Sequence, residues 1–344
     1  MTHPAVIFGC LGAALTAEER AFFRATDPLG FILFKRNCIS PEQIRALTDS
    51  FRELSGRADI PVLIDQEGGR VARLSSPPWY KAPAAARFAE LFGDDKHAAA
   101  QAVRLNSRLI AHDLVGLGIS VDCLPVLDVP ASDGHQIIGD RAYGTDPKVV
   151  ADLGLAAAQG LLDFGVLPVM KHIPGHGRAR SDTHQALPHV EAGRRALEEI
   201  DFKPFAALHD LPLAMTAHVV FDAIDPLHPA TLSGAVIEQV IRGYIGFDGL
   251  LMSDDLSMKA LSGSFEKRAA EALDAGCDVV LHCNGEMEEM KAVMQGVSEM
   301  SQKAGERAEK ALHFADSRKN LFDVEESRAS LSALLAGRGI AASM

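Results

Sequence analysis

Eight short apolar runs, each as long as a β-strand, constrain the fold of this chain more than any other feature. They cover residues 5–10, 30–34, 61–64, 119–122, 166–170, 212–215, 249–252 and 278–281. Continuously apolar runs are typical of parallel strands that are covered on both faces. A helix-like stretch or a long loop follows each run. This alternation predicts a closed (β/α)8 barrel of the α/β class, with an open, doubly wound sheet as the alternative.

The helices predicted between the strands cover residues 41–55, 97–117, 146–164, 192–209, 233–241, 266–275 and 286–300. The clearest helix start is at Ser40, a capping side chain that is followed by Pro41. No low-complexity linker divides the chain, so residues 1–328 are predicted to form one barrel domain. Within it, we expect residues 302–328 to be helical and to pack on the barrel exterior. Residues 329–344, rich in Ala, Ser and Gly, are expected to form a tail.

Composition argues against several classes of protein. The 344 residues include 34 Lys and Arg against 46 Asp and Glu, which gives a net charge of −12. Binding to nucleic acid or to an anionic membrane requires a basic surface, so we expect neither partner. The chain has five cysteines, an odd number, and no Cys-x-x-Cys pair. This argues against a disulfide framework or a structural zinc site and fits a reducing compartment.

The N-terminal region resembles the core of a signal peptide only superficially. Residues 5–15 are largely apolar, but no Lys or Arg precedes them. Thr16 and Glu19 instead have the spacing of a helix capping box. No apolar run approaches the ~20 residues of a membrane span. We therefore expect a cytoplasmic protein that does not enter a membrane.

Polar side chains follow nearly every predicted strand at its carboxyl end. The sequences there are Lys35-Arg36-Asn37, Asp65-Gln66-Glu67, Asp122 to Asp128, Lys171-His172, Thr216-Ala217-His218, Ser253-Asp254-Asp255 and His282-Cys283-Asn284. The strand starts are apolar or turn-like, although part of this asymmetry reflects the general polarity of loops. Because parallel barrels carry their active sites at the carboxyl ends of the strands, we expect the site there.

The densest motif is Lys171-His172-Ile173-Pro174-Gly175-His176-Gly177. Its proline and glycines prevent a helix from continuing the strand, and they predict a tight loop whose backbone can approach a ligand. The two histidines of the motif, with His184 or His189, could alternatively bind zinc. That interpretation needs a helix to bring both rings to one face, and Pro174 disfavours it.

Two further segments carry candidate catalytic carboxylates. Asp182 lies two residues before His184 and could accept its Nδ1–H, as in catalytic dyads, although a turn-capping Asp beside a surface His has the same spacing. Asp254 and Asp255 end an apolar strand, and burying ionised carboxylates is costly unless they are used or paired. Strand alternation points these two side chains in opposite directions, and one of them is expected to cap the next helix. Spacing does not tell which one faces the pocket.

Charged residues also lie on two glycine-rich turns, at residues 64–71 and 138–144. Neither turn is a phosphate-binding loop, since the first lacks the glycine spacing and the Lys-[Ser/Thr] ending. Taken alone, each turn is explained as well by solvated charges as by a binding role.

Five sequence blocks together resemble glycoside hydrolase family 3, and within it the single-domain bacterial β-N-acetylglucosaminidases. The blocks are Asp65-Gln66-Glu67-Gly68-Gly69-Arg70-Val71-Ala72-Arg73, Gly139-Asp140-Arg141, Lys171-His172-Ile173-Pro174-Gly175-His176-Gly177, Asp182-Thr183-His184 and Ser253-Asp254-Asp255-Leu256-Ser257-Met258. They occur in the family's order and span most of the chain. Departures are small: Ile173 stands where Phe is common, and Ala142-Tyr143 stands where Ser-Phe is common.

The resemblance implies a (β/α)8 barrel without the second sheet domain of the family's larger β-glucosidases. It also implies release of terminal, non-reducing N-acetylglucosamine from cell-wall fragments in the cytoplasm. The usual substrate is GlcNAc linked β-1,4 to 1,6-anhydro-N-acetylmuramic acid, with or without peptide. Such an enzyme would serve peptidoglycan recycling and thereby cell-wall biogenesis, cell shape and cell division. We expect a monomer that binds a small carbohydrate and uses no cofactor and no metal.

By the same resemblance, Asp254 is the nucleophile of a retaining mechanism, His184 is the proton donor and acceptor, and Asp182 orients His184. The residues that would hold the sugar are Asp65, Arg73, Arg141, Lys171 and His172. An imidazole suits the acid/base role because its ordinary pKa, near ~6.5, lets it give and take protons at neutral pH. Substrate-assisted attack by the acetamido group is the alternative route, and it would leave Asp254 only an orienting role.

Other functions are compatible with parts of the sequence. A metal-dependent barrel hydrolase could use His172, His218 and an Asp, although no His-x-His follows the first strand. A sugar-binding barrel without catalysis is disfavoured because Asp182, His184 and Asp254 are all present. Broader β-glucosidase activity stays open, because the pocket for the acetamido group cannot be located in the sequence.

Overall fold

The structure, a computed structural model, describes residues 3–75, 77–93, 95–131, 137–179, 187–315 and 323–336. Eight parallel strands close into a barrel: β1 (Val6–Gly9), β2 (Gly30–Leu33), β3 (Val62–Ile64), β4 (Val121–Asp122), β5 (Leu167–Ile173), β6 (Leu213–Thr216), β7 (Leu250–Asp255) and β8 (Val279–His282). β1 pairs with both β2 and β8, which closes the sheet. The predicted (β/α)8 barrel is confirmed, and the open sheet is wrong.

Alternation along the strands divides the apolar side chains into two layers. Every strand contributes to the cluster in the barrel interior, β1 to β4 through Ile7, Ile32, Leu63 and Val121. β5 to β8 contribute two side chains each, namely Leu167 and Val169, Leu213 and Met215, Leu250 and Met252, and Val279 and Leu281. Neighbouring side chains face the helices outside, where Phe31 stacks on Phe51 with ring centroids 3.9 Å apart. Two buried layers explain why the strands are continuously apolar.

The helices lie mainly where the sequence predicts them. They cover Ala17–Thr26, Pro41–Ser55, Ala86–Phe92, Lys96–Gly116, Pro147–Leu162, Arg194–Ala196, Leu197–Asp201, Lys203–Ala207, Val236–Tyr244, Phe265–Ala275, Met287–Gly296, Gln302–Ala315 and Val324–Ala336. Thr16 and Glu19 form the predicted capping box, and Ser40 caps the helix that Pro41 begins. Leu197–Asp201 and Val236–Tyr244 have the wider π-helical turn. The helix Ala86–Phe92 is additional to those predicted.

The C-terminal helices differ from expectation. Gln302–Ala315 does not pack on the barrel exterior, because Ala304, Ala308 and Ala311 join the interior cluster and close the amino end of the barrel. Val324–Ala336 packs against Lys96–Gly116 through buried Leu331 and Leu335. The boundary expected at residue 328 falls within that helix, and residues 337–344 lie outside the described part of the chain. Among the helices described, none is long and apolar enough to cross a bilayer.

Candidate active site

A pocket of about 250 Å³ opens at the carboxyl ends of the strands, the end at which the sequence predicts the site. Six of the predicted site residues line it together: Asp65, Arg73, Arg141, Lys171, His172 and Asp254. They come from positions 65 to 254 of the chain, so only the barrel brings them into one cavity. Asp182 and His184, the predicted acid/base pair, lie outside the described residues.

Five alternating charges form one wall of the pocket. Lys171 Nζ lies 2.7 Å from Asp65 Oδ1 and 2.7 Å from Glu67 Oε1. Arg73 donates to the second oxygen of Asp65 at 2.7 Å, and Arg141 makes a bidentate pair with Glu67 at 2.8 Å for both bonds. The Lys171 side chain is only 2% exposed. We call this chain of ion pairs the charge cluster; it is a rigid array of charged hydrogen-bonding groups, the kind that binds polar ligands strongly.

The electrostatics keep every member of the charge cluster ionised. Burial alone would raise the pKa of Glu67, but Lys171 and Arg141 lower it to about 2. Lys171 and Arg73 likewise hold the pKa of Asp65 well below its ordinary value against the effect of burial. Burial would lower the pKa of Lys171, but Asp65 and Glu67 raise it above its usual range. Around neutral pH the cluster therefore presents fixed charges to a ligand.

A tight hairpin after β3 explains how Arg73 returns to Asp65. Gln66–Gly68 pairs with Val71–Ala72, and Gly68 and Gly69 both have positive φ, at 96° and 56°. Gln66 Oε1 accepts the backbone N–H groups of Arg73 and Leu74 and so fixes the return strand. The first glycine-rich turn of the sequence is thus part of the pocket and not only a solvated turn.

His172 lies at the end of β5, beside the segment that follows β4. Asp128 Oδ2 is 2.7 Å from His172 Nδ1, and its Oδ1 accepts the backbone N–H of His172 and that of His176. Burial and nearby His172 lower the pKa of His176 to about 4, so this ring is neutral at neutral pH. Neither Asp128 nor Glu67 had a role assigned from the sequence. The available signal was that both lie in polar segments that follow strands.

β7 ends in two carboxylates with different surroundings. Asp255 accepts the backbone N–H and the hydroxyl of Ser257 and so orders the turn after the strand. The expectation that Asp254 or Asp255 caps the next helix is wrong, because that helix begins ten residues later, at Phe265, and Ser264 caps it. Asp254 lines the pocket with Lys171 and His172. Burial would raise the pKa of Asp254, but His218, His172 and the backbone N–H of Asp255 lower it below the ordinary value. Asp254 is thus a half-buried carboxylate that stays ionised, as a nucleophile must be.

The alternative metal site finds no support in the described residues. Within the described ranges, no three His, Cys, Asp or Glu side chains form a group that could hold a metal ion. Both ring nitrogens of His218 have partners, Thr231 Oγ1 at 2.7 Å and the Asp255 carbonyl at 3.0 Å. His189 bonds Asp222 near the surface, outside the pocket lining.

Comparison with known proteins gives a consistent result. Residues 10–314 match the model of the glycosyl hydrolase family 3 N-terminal domain. A β-hexosaminidase from Alkalilimnicola ehrlichii is 41% identical over 283 residues, which cover 81% of this chain and 80% of that protein. The crystal structure of NagZ from Neisseria gonorrhoeae in complex with N-trifluoroacetyl-D-glucosamine has a TM-score of 0.87 at 29% identity, covering 97% of this chain and 99% of that one.

A longer relative matches over part of its length. The family 3 β-N-acetylglucosaminidase from Paenibacillus sp. str. FPU-7 has a TM-score of 0.82 at 29% identity, covering 96% of this chain but 66% of that one. The barrel described here therefore corresponds to one portion of that larger protein. The chain belongs to glycoside hydrolase family 3 and is a NagZ-type β-N-acetylglucosaminidase, a glycosidase acting on β-linked N-acetylglucosamine.

Proposed function

We propose that this enzyme is a retaining β-N-acetylhexosaminidase that releases terminal, non-reducing GlcNAc from peptidoglycan fragments during cell-wall recycling. The observation that carries the proposal is the position of an ionised, half-buried Asp254 in the pocket that the charge cluster lines. The charge cluster would bind the sugar hydroxyls, and Asp254 would lie at the anomeric carbon. This arrangement suits displacement at a sugar ring held over a carboxylate.

The reaction would proceed in two displacements. In the first, Asp254 attacks the anomeric carbon while protonated His184 gives its proton to the leaving oxygen, and a glycosyl ester forms. In the second, neutral His184 takes a proton from water, and the hydroxide formed opens the ester to give GlcNAc and free Asp254. Asp182 would accept the Nδ1–H of His184 and stabilise the imidazolium. The roles of Asp182 and His184 are proposed from the sequence alone, because both residues lie outside the described part of the chain.

The substrate class is supported by the family and by the relatives it contains. We take GlcNAc-β-1,4-anhydro-N-acetylmuramic acid, with or without peptide, as the substrate, and the cytoplasm as the site of recycling. The relatives include β-hexosaminidases and a NagZ crystallised with an N-acylated glucosamine. All five cysteines are free thiols, which agrees with a reducing compartment.

The first test replaces the proposed nucleophile. Asp254→Ala should abolish hydrolysis of an aryl N-acetylglucosaminide, because no other group would form the glycosyl ester. The wild-type enzyme quenched in acid during turnover should gain the mass of one GlcNAc residue, located on the peptide that contains Asp254. Near-normal turnover by Asp254→Ala would refute the assignment.

The second test separates the acid/base role from general damage. His184→Ala should slow substrates with poor leaving groups far more than aryl glycosides with activated ones, because activated leaving groups need no proton. Equal losses for both would contradict the role.

A third test addresses specificity for the sugar. Aryl N-acetylglucosaminide and aryl glucoside, compared in parallel, should be hydrolysed at strongly different rates, and similar rates would show a broader β-glucosidase.

A further inference from the structure

Asp128 is a buried carboxylate that the proposed mechanism does not use. Its side chain is fully buried, at 0% exposure, on the segment that follows β4. It makes three hydrogen bonds, and all of them go to the His172–His176 segment. A buried carboxylate directed at a single short segment of the pocket indicates a role for that segment.

The backbone holds Asp128 in place on both sides. Before it, Leu127 donates its N–H to the Lys171 carbonyl at 2.7 Å, and Lys171 donates to the Pro125 carbonyl at 3.0 Å. After it, Ala131 donates to the Gly177 carbonyl at 3.0 Å. The segment therefore continues β4 alongside β5 and its loop. These bonds fix the backbone at Asp128 relative to the backbone at His172 without involving either side chain.

Asp128 can only accept protons in these bonds. Burial would raise its pKa, but the charges and hydrogen bonds of His172 and His176 lower it below the ordinary value, so the carboxylate is ionised. An ionised carboxylate is acceptor only, so the proton in the 2.7 Å contact must belong to His172 Nδ1. The ring also lines the pocket, and with Nδ1 engaged, the nitrogen that remains for a ligand is Nε2.

We propose that Asp128 is a positioning residue for catalysis: it fixes the tautomer and orientation of His172 so that Nε2 is presented to a hydroxyl of the sugar bound beside Asp254. This inference rests on the proposed role of His172 as a sugar ligand. The competing explanation is purely structural, with Asp128 serving only to cap the backbone of the loop. The two explanations differ in what the Oδ2 atom does, since Oδ1 alone accepts both backbone N–H groups.

Asp128→Asn separates these explanations because it changes only one of the two side-chain oxygens. The remaining oxygen can still accept the backbone N–H groups of His172 and His176. The new amide NH2 faces His172 Nδ1 as a donor, so the ring must carry its proton on Nε2 or turn away. The variant should lower kcat/KM for an aryl N-acetylglucosaminide about 10–100-fold, the range found when a carboxylate that orients a metal-binding histidine is lost.

A double-mutant cycle shows whether Asp128 acts through His172. His172→Ala alone should lower kcat/KM. In the His172→Ala background, Asp128→Asn should lower kcat/KM by less than a further factor of about three, because the two residues act as one unit. Asp163→Asn is the matched control: Asp163 is a buried carboxylate, 3% exposed, paired with Arg104 at 2.9 Å, and it does not line the pocket. This control should lose stability and retain kcat/KM.

Long-range ¹⁵N–¹H spectra of histidine-labelled enzyme report which ring nitrogen of His172 carries the proton. This tautomer would not change in Asp128→Asn if Asp128 only capped the backbone of the loop. His172 should carry its proton on Nδ1 in the wild type and lose that signal in Asp128→Asn, with His172→Ala identifying the resonance. A neutral His172→Ala would refute His172 as a sugar ligand. If His172→Ala lowers kcat/KM, three results would refute the positioning role of Asp128 while leaving His172 as a sugar ligand. They are an unchanged kcat/KM in Asp128→Asn, additive losses in the double-mutant cycle, and an unchanged His172 tautomer in Asp128→Asn.

Discussion

Replacing Glu67 by Gln gives a quantitative test of the charge cluster. The side chain is 4% exposed and pairs with both Lys171 and Arg141. Gln keeps its size and one hydrogen-bonding oxygen but removes the charge. The pocket wall then holds Lys171, Arg141 and Arg73 against Asp65 alone, so one buried and two half-buried cations share one anion.

The expected cost follows from the pKa of Glu67. Its pKa is about 2 in the folded protein against an ordinary 4.5, a lowering equivalent to about 3 kcal/mol of stabilisation of the charged form. Breaking a buried pair typically costs ~3–5 kcal/mol, which is the same order. With an unfolding entropy of ~2.1 cal/mol/K per residue, a loss of about 3 kcal/mol lowers the Tm by about 4 °C for a chain of this length.

The difference in the free energy of unfolding between wild type and Glu67→Gln should depend on pH in a definite direction. A carboxylate whose pKa is lowered on folding stabilises the fold above its unfolded pKa, here about 4.5, and loses that contribution as pH falls toward about 2. The gap between wild type and Glu67→Gln should therefore be full at pH 7 and shrink below about pH 4.5. Urea unfolding at pH 7 and pH 3.5 measures it, and kcat/KM at pH 7 should fall at least 10-fold because Lys171 and Arg141 lose their common anchor.

The matched control for Glu67→Gln is an exposed ion pair. Lys148 and Asp152 lie 2.9 Å apart on one helix, with side chains 66% and 38% exposed. Asp152→Asn should change the free energy of unfolding by less than ~0.5 kcal/mol, because surface pairs are screened by water. If Glu67→Gln unfolded with the same free energy as Asp152→Asn at pH 7, the reasoning from buried charge would be refuted.

Four further predictions address other parts of the molecule. Gly177→Ala should lower both Tm and activity, because a Cβ there would lie 1.9 Å from the Val129 carbonyl oxygen; an unchanged melting curve would contradict that close approach. Burial raises the pKa of Asp201 to about 6 despite its partner Arg178, so its contribution to stability should fall as pH rises from about 4 to 6, and urea unfolding of Asp201→Asn across that range should lack this component. Thr16→Ala removes the capping box and should cost ~1 kcal/mol in urea unfolding, with no loss speaking against the cap. Dialysis against a chelator should leave turnover unchanged, whereas activity lost there and restored by zinc would support a metal-dependent reaction.

The strands were predictable because burial on two faces leaves a continuous apolar run, but their ends were not. β5 extends through Lys171 and His172 to Ile173, and β7 extends through Asp254 and Asp255. An apolar pattern stops at Met170 and at Met252, since the polar residues beyond them serve the pocket. Strand ends that carry function depart from the hydrophobic pattern because the barrel mouth, and not the core, surrounds their side chains.

The helix Gln302–Ala315 was misplaced for a different reason. Its overall polarity indicated an exterior position, yet three alanines at spacings of four and three residues form a narrow apolar face. Such a face closes the amino end of the barrel because small side chains let the helix approach the interior closely. The alanine spacing was visible in the sequence, but alanine contributes so little hydrophobicity that the pattern carried little weight.

The partners of the site residues were the least predictable feature. Asp128 meets His172 from 44 positions away, and Glu67 meets Arg141 from 74 positions away. No local periodicity encodes pairs so distant, and a carboxylate after a strand is equally compatible with a solvated turn. The family resemblance identified residues expected to touch the sugar, whereas the side chains that support them became visible only through the fold.

Closure of the barrel is what brings the proposed site residues into one pocket. Lys171 and His172 are consecutive on β5. Their partners follow the two preceding strands of the sheet order, Asp128 after the adjacent β4 and Asp65 and Glu67 after the next strand, β3, which any parallel sheet could provide. Asp254 is different, because β7 lies four strands from β3 in the sheet order. At ~4.8 Å per strand, a flat sheet would separate the ends of β3 and β7 by about 19 Å. In the closed barrel Asp65 and Asp254 line one pocket, so the charge cluster and the proposed nucleophile can act on the same sugar ring.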